Sequence, residues 1–207
     1  MRYAAGHKAR TRAKIVQAAG KVFRREGYHA AGIDMVMEEA GLTAGGFYAH
    51  FPSKAALLAE ALAPAAAEAG VPHDQELEGE TGRTRTEAFI DRYLAPRHMR
   101  DTEGGCPLPA LASEVARTGG PVKASFEAIV RDLAARLKDQ ADGELSEDRA
   151  LAILALCVGG LGVARSVQDK ALGERILASC RDLAKASLVT LPAPQTSAAT
   201  RNRETDQ

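Results

Sequence analysis

An all-α fold is predicted by three features of this 207-residue chain. Apolar residues recur at helical spacing, runs of strict alternation are nearly absent, and Ala and Leu dominate while aromatics make up only 4%. About nine helices are expected from the pattern of caps and breakers. In the first, Ile15, Ala18, Ala19, Val22 and Phe23 form one apolar stripe; Thr11 is its expected N-cap, and Gly27 ends it after a basic last turn. The second runs from Ile33 to Ala40, with Asp34 near its positive end and Gly41 closing it. The third starts at the N-cap Thr43 and stops by Phe51, because Pro52 follows. Ser53 caps a fourth helix through Leu62, which Pro64 interrupts.

Residues 65–82 mix Ala, Gly, Pro and acid, and read as a helix end plus a linker. A helix is expected from Thr86 to His98, then a loop "TEGGCP" with Pro107 suited to the first turn of the next helix. That helix ends at Gly119-Gly120-Pro121, and another runs to Gln140. Ser146 caps a long apolar helix to Val167, and Gly173 to Leu191 forms the last one. The segments group as one unit at 1–63, a second, longer unit at 64–191, and a polar tail at 192–207 expected to be disordered.

Hydrophobic residues at 45% and charged residues at 26% are ordinary for a soluble globular protein. The N-terminus has no apolar core behind its positive charges, so it does not read as a secretory signal. The longest apolar run, residues 151–164, is shorter than the roughly 18–20 residues that span a bilayer. The cytoplasm is the expected compartment. Cys106, Cys157 and Cys180 lack zinc-ligand spacing and disulfide density, and no cofactor or metal is expected. His7, His29, His50, His73 and His98 are scattered, none at catalytic or metal spacing with a Cys, Ser or acid. No glycine loop follows a strand. An enzyme is not the expected reading.

Formal net charge is zero, but it is unevenly placed. Residues 1–63 hold nine Lys/Arg and five Asp/Glu, and the first 25 hold eight basic residues and no acid. That is the distribution phosphate attraction requires, with an acidic remainder that phosphate would repel.

The second and third helices are joined by "AGLT", a short helix, tight glycine turn and short helix that form a helix-turn-helix pattern. In such a unit the second helix enters the major groove N-terminus first. Thr43, Ala44, Gly45 and Gly46 are small, so the backbone can approach DNA closely. Tyr48, His50 and Lys54 can reach phosphates, while Phe47 and Phe51, four apart, turn inward as core. A helical hairpin serving as a structural adaptor would leave both the bare face and the basic segment without a purpose.

Residues 11–62, and above all "GLTAGGFYAHFPSK", resemble the DNA-binding domain of TetR-family transcriptional regulators. The resemblance implies a homodimer on a near-palindromic double-stranded operator, acting as a repressor released by a small molecule or reactive species. It places Thr43, Gly45, Gly46, Tyr48, His50 and Lys54 at positions that face DNA. Gly32 stands where relatives carry Ser or Thr, so a cap or phosphate contact is lost there. Ala44 stands where relatives carry a longer polar side chain, which leaves at most an apolar contact such as a thymine methyl.

In the C-terminal half, Leu151, Leu154, Val158, Leu161 and Val163 and then Ile176, Leu177, Cys180, Leu183, Ala184 and Leu188 form apolar faces on two helices. Gly159, Gly160 and Gly162 thin the first of them. The family resemblance implies a four-helix dimer interface from such a pair. The stretch "GGCPLPALASEVA" is similar to one in a branch of the family that includes the electrophile-responsive N-ethylmaleimide repressor. Cys106 is therefore a sensor candidate: a helix N-terminus favours a thiolate, and Gly104 and Gly105 are expected to leave it accessible. The alternative is a non-covalent apolar inducer, with Cys106 purely structural.

Overall fold

The computed structural model describes residues 2–69, 82–141 and 145–188. The expected linker centre and C-terminal tail, along with His73, lie outside the described residues. Among the described residues there are nine α-helices, one 3₁₀ helix and no strand. The order is α1 (Arg2–Glu26), α2 (Ile33–Glu39), the 3₁₀ helix Ala44–Ala49, α3 (Lys54–Glu68), α4 (Gly82–Tyr93), α5 (Pro96–Arg100), α6 (Pro107–Val115), α7 (Gly120–Gln140), α8 (Glu147–Ser166) and α9 (Lys170–Ala186).

Helix α1 packs across α2 and α3 to make a small head, whose core is Ile15, Ala19, Val22, Phe23, Val36, Met37, Phe47, Phe51, Leu57 and Leu58. Gly27 (φ +82°) and Gly41 (φ +68°) end α1 and α2 in the left-handed region, where a side chain would be strained. Ser53 caps α3 by accepting from the Ala56 N–H at 3.0 Å, and Ser146 caps α8 through the Arg149 N–H at 3.3 Å. Pro107 occupies the first turn of α6, as its sequence position predicts.

Several elements differ from expectation. Thr11 is no cap: α1 starts nine residues earlier, and Thr11 instead bonds its own helix, donating to the His7 carbonyl at 3.0 Å. The third helix is a 3₁₀ turn of six residues. Pro64 sits inside α3, which runs on to Glu68 and so crosses the boundary placed at residue 63. The helix survives because Ala65 beyond the proline buries itself against Gly20 of α1, where an added Cβ would be 3.2 Å from the Ala65 Cβ. The expected helix 86–98 is two helices, broken at Ala95 by Pro96. Asp169, not Gly173, starts α9, accepting from the N–H groups of Ala171 and Leu172.

Helix α8 is long and apolar enough, with a mean hydropathy of 1.5 over its best window, to match a membrane span by length and composition. Its place in the fold accounts for that composition. Ala150, Ile153, Leu154, Cys157, Leu161 and Ala164 are buried against α6, α7 and α9. Leu151 and Val163 on α8 and Leu172 and Leu183 on α9 are large apolar side chains left exposed.

Candidate nucleic-acid interface

The chain between Gly41 and Lys54 turns one face inward and one outward. Phe47 is fully buried and Phe51 nearly so, their rings stacked with centroids 5.9 Å apart. The Arg12 guanidinium covers Phe51 at 4.2 Å and pairs with Glu60, which ties α1 to α3 behind the turn. On the outer face Thr43, Ala44, Gly45 and Ala49 are exposed, and the Tyr48 side chain is 71% exposed. A Cβ at Gly45 would meet nothing within 4 Å, and one at Gly46 only the Met37 methyl at 3.8 Å. Neither glycine is required by the fold of this chain itself.

Two further predicted residues are more embedded than expected. The Lys54 ammonium donates to the carbonyls of Ala31 (2.9 Å) and His29 (3.4 Å) and lies 4.6 Å over the Tyr28 ring, bracing the turn before α2. Two of its three donors are thereby used. His50 is half-buried, with Nδ1 enclosed and lacking a hydrogen-bond partner. Gly32 starts α2 with no side-chain cap.

The head is held to the body by three side chains that carry no recognisable sequence motif. Glu114 on α6 accepts from the backbone N–H groups of Tyr28 and His29, both at 2.8 Å. This grip needs Gly27, where a Cβ would be 3.0 Å from the carboxylate. Arg24, only 3% exposed, donates to the carbonyls of Ala65 (2.8 Å) and Glu103 (2.5 Å). Arg25 pairs with Glu26, Glu39 and Glu103. Adjacent arginines and a glycine turn are common on surfaces, so only the fold reveals that these meet residues 103 and 114.

Cys106 sits at the start of α6, within reach of the Arg24 charge at this junction, and is fully buried. The accessibility expected from Gly104 and Gly105 is therefore corrected. Both glycines close a tight turn over Asp101: a Cβ at Gly105 would be 2.5 Å from the Asp101 carbonyl and 2.8 Å from the Arg165 guanidinium. The expected thiolate is corrected too. Burial pushes the thiol pKa up, outweighing the lowering effect of Tyr93, the Leu108 backbone, Arg165 and Arg24. Arg165 secures the same loop from α8, donating to the carbonyls of His98 (2.5 Å), Met99 (3.2 Å) and Asp101 (3.0 Å).

The Cys106 N–H donates to His98 Nε2 at 3.0 Å, so Nδ1 carries the ring proton and donates to the Tyr93 carbonyl at 2.8 Å. Only a neutral imidazole makes both bonds. Burial, with the Arg165 and Arg97 charges adding to it, holds the His98 pKa below its ordinary value. The unfolded chain then binds more protons than the folded one, so stability falls as pH drops below about 6.5, the unfolded histidine value. The thermal midpoint should decline between neutral and mildly acidic pH, and His98→Gln should flatten that decline.

An open groove of about 410 Å³ lies between the second half of α3 and α7, lined by Ala63, Ala66, Ala67, Ile129, Leu133 and the Asp132–Arg136 ion pair.

A helix-turn-helix head braced on a bundle of longer helices is the architecture of a one-component bacterial regulator. Residues 15–61 match the family described as bacterial regulatory proteins, tetR family, and residues 82–179 the one described as tetracyclin repressor-like, C-terminal domain. The chain belongs to the TetR family of transcriptional regulators, and the families and relatives it matches are regulators, not enzymes. An uncharacterized HTH-type transcriptional regulator of Mycobacterium tuberculosis is 31% identical over 104 residues, 50% of this chain and 52% of that protein. The chain thus spans about half the length of that relative. Two solved structures share the fold at 21% identity. A TetR-family regulator from Agrobacterium tumefaciens has a TM-score of 0.67, covering 85% of this chain and 98% of that one. The reduced form of E. coli NemR has a TM-score of 0.64, covering 83% and 95%.

Proposed function

We propose that this chain is a cytoplasmic homodimeric repressor that binds a near-palindromic operator through the turn at residues 43–50. The observation that carries the reading is the outward face of the 3₁₀ helix: two glycines with open space before them beside a tyrosine exposed at 71%, all backed by buried Phe47 and Phe51. Gly45 and Gly46 let the backbone approach base edges, Thr43 and Ala44 lie at the leading end, and Tyr48 and His50 contact phosphates. Lys54 supplies its third donor to the same backbone while its other two hold the turn. Ala44 offers only apolar contact, so sequence readout is weak at that position. The exposed apolar residues of α8 and α9 form the interface between the two copies.

Tyr48→Ala tests the reading. With operator DNA obtained by selection, the variant keeps its thermal midpoint and binds about tenfold or more weakly, a loss of about 1.4 kcal/mol. Unchanged binding would exclude this face.

For release, the buried thiol favours a non-covalent apolar inducer over reaction at Cys106. The open groove between α3 and α7, with Ile129 and Leu133 at its base and the Asp132–Arg136 pair at its edge, is the candidate seat for it among the described residues. Cys106→Ser then responds to inducer as the wild type does. A mutant that stays on DNA when electrophile removes the wild type would instead establish the sensor at Cys106.

A further inference from the structure

The other two cysteines face each other across the seam between α8 and α9. These helices are joined by only three residues and run antiparallel, so facing positions follow from one known contact. A Cβ at Gly173 would be 3.1 Å from the Ala164 carbonyl, which sets Gly173 of α9 opposite Ala164 of α8. Seven residues are close to two helical turns, so stepping seven back along α8 and seven forward along α9 returns to the same faces. Those steps lead from Ala164 to Cys157 and from Gly173 to Cys180.

An independent contact agrees. A Cβ at Gly160, one turn after Cys157, would lie 2.7 Å from the Cys180 Sγ and 3.0 Å from its Cβ. Cys180 therefore sits in the notch that Gly160 leaves on the α8 surface. The small residues Gly160, Ala164 and Gly173 allow the close helix approach a disulfide needs, with Cα atoms about 4.4–6.8 Å apart. The residues that share the inward stripe with Cys180 are Gly173, Leu177 and Ala184, all buried. Leu172 and Leu183 are the large exposed apolar side chains of α9, and Leu183, one turn beyond Cys180, borders it on the outer side.

We infer that Cys157 and Cys180 form an intramolecular disulfide when the folded protein meets a peroxide, making the α8–α9 seam a modification site distinct from Cys106. Both thiols are free and reduced in the structure. Cys180 is partly exposed and Cys157 fully buried, which sets the order of events. The Cys180 sulfur attacks a peroxide oxygen, the O–O bond breaks, and Cys180 becomes a sulfenic acid as one water leaves. The Cys157 sulfur then attacks the Cys180 sulfur, forming S–S and breaking S–O, and the hydroxyl departs with the Cys157 proton as a second water. Two thiols lose two electrons and hydrogen peroxide gains them. Burial, then the neighbouring Cys180, pushes the Cys157 thiol up to about 12, and burial raises Cys180 as well. Both act slowly at neutral pH as a consequence, and the reaction depends on proximity more than on an activated thiolate.

The inference is independent of the operator reading and needs no DNA. The full chain is treated with hydrogen peroxide, alkylated after unfolding, digested without reduction and analysed by mass spectrometry. Expected is one cross-linked peptide pair joining Cys157 to Cys180, while alkylatable thiols drop from three to one, the survivor being Cys106. In Cys157→Ala the reaction halts at the Cys180 sulfenic acid, which dimedone traps, and Cys180→Ser yields no cross-link. Because the wild-type readout needs no variant, poor folding of either mutant does not blunt the test. Cys157 still alkylatable after Cys180 is consumed, or Cys180 joined only to a second copy of the chain, would overturn it.

Discussion

Gly45→Leu is expected to fold as well as the wild type or better, and to lose operator binding by about a hundredfold or more, close to 2.7 kcal/mol. The two halves of that result have separate causes. Within the protein, a side chain at residue 45 enters open space, and the backbone there is not left-handed, so nothing resists it. Replacing glycine in a helical turn removes backbone freedom from the unfolded chain and stabilises by up to about 1 kcal/mol. Against DNA the same side chain fills the gap through which the backbone would approach the base edges. The turn must then ride higher in the groove, and the neighbouring contacts from Tyr48 and Thr43 lengthen together. Thermal denaturation and fluorescence anisotropy on one preparation separate the two effects. A variant that binds normally would show that Gly45 faces away from DNA. A variant that fails to fold would show that residue 45 packs inside the head.

How much of this was legible in the sequence depends on the range of the interaction involved. Gly27 and Gly41 at positive φ, the Ser53 and Ser146 caps, Pro107 in a first turn and the buried pair Phe47/Phe51 are decided within a few residues, and each was readable. Local reasoning failed where two answers were both locally allowed. Thr11 is a good cap and also a tolerable interior residue, and the preceding stretch has nothing in it to stop a helix. Pro64 is a breaker unless the residues beyond it gain burial, which Ala65 does only because Gly20 lies opposite. Non-local chemistry was not readable at all. The thiol of Cys106 meets Tyr93 and Arg165, and the latter is 59 positions away along the chain. Glu114 finds its partners 85 and 86 residues earlier. The inward and outward faces of the 41–54 turn were therefore visible in advance, whereas the junction between head and body was not.

Phe47→Ala is expected to cost about 3–5 kcal/mol of stability, the range for removing a large buried aromatic side chain. Phe47 has no exposed surface, stacks on Phe51 and meets Tyr48 edge-on with centroids 5.1 Å apart. It is the side chain through which a six-residue 3₁₀ turn, too short to hold itself, is fastened to α1 and α2. Truncation leaves a cavity in the middle of the head, and that turn has little local structure with which to collapse around it. Operator binding would then vanish as well, but through loss of the surface and not of a contact. The adjacent pair separates these routes. Tyr48→Ala should weaken binding with an unchanged urea midpoint, whereas Phe47→Ala should lower the midpoint first, and Phe47→Leu, which refills most of the space, should recover much of both. Equal midpoints for the Phe47→Ala and Tyr48→Ala proteins would mean that the two aromatics do not divide between core and surface, and the outward face described for Gly45 would lose its support.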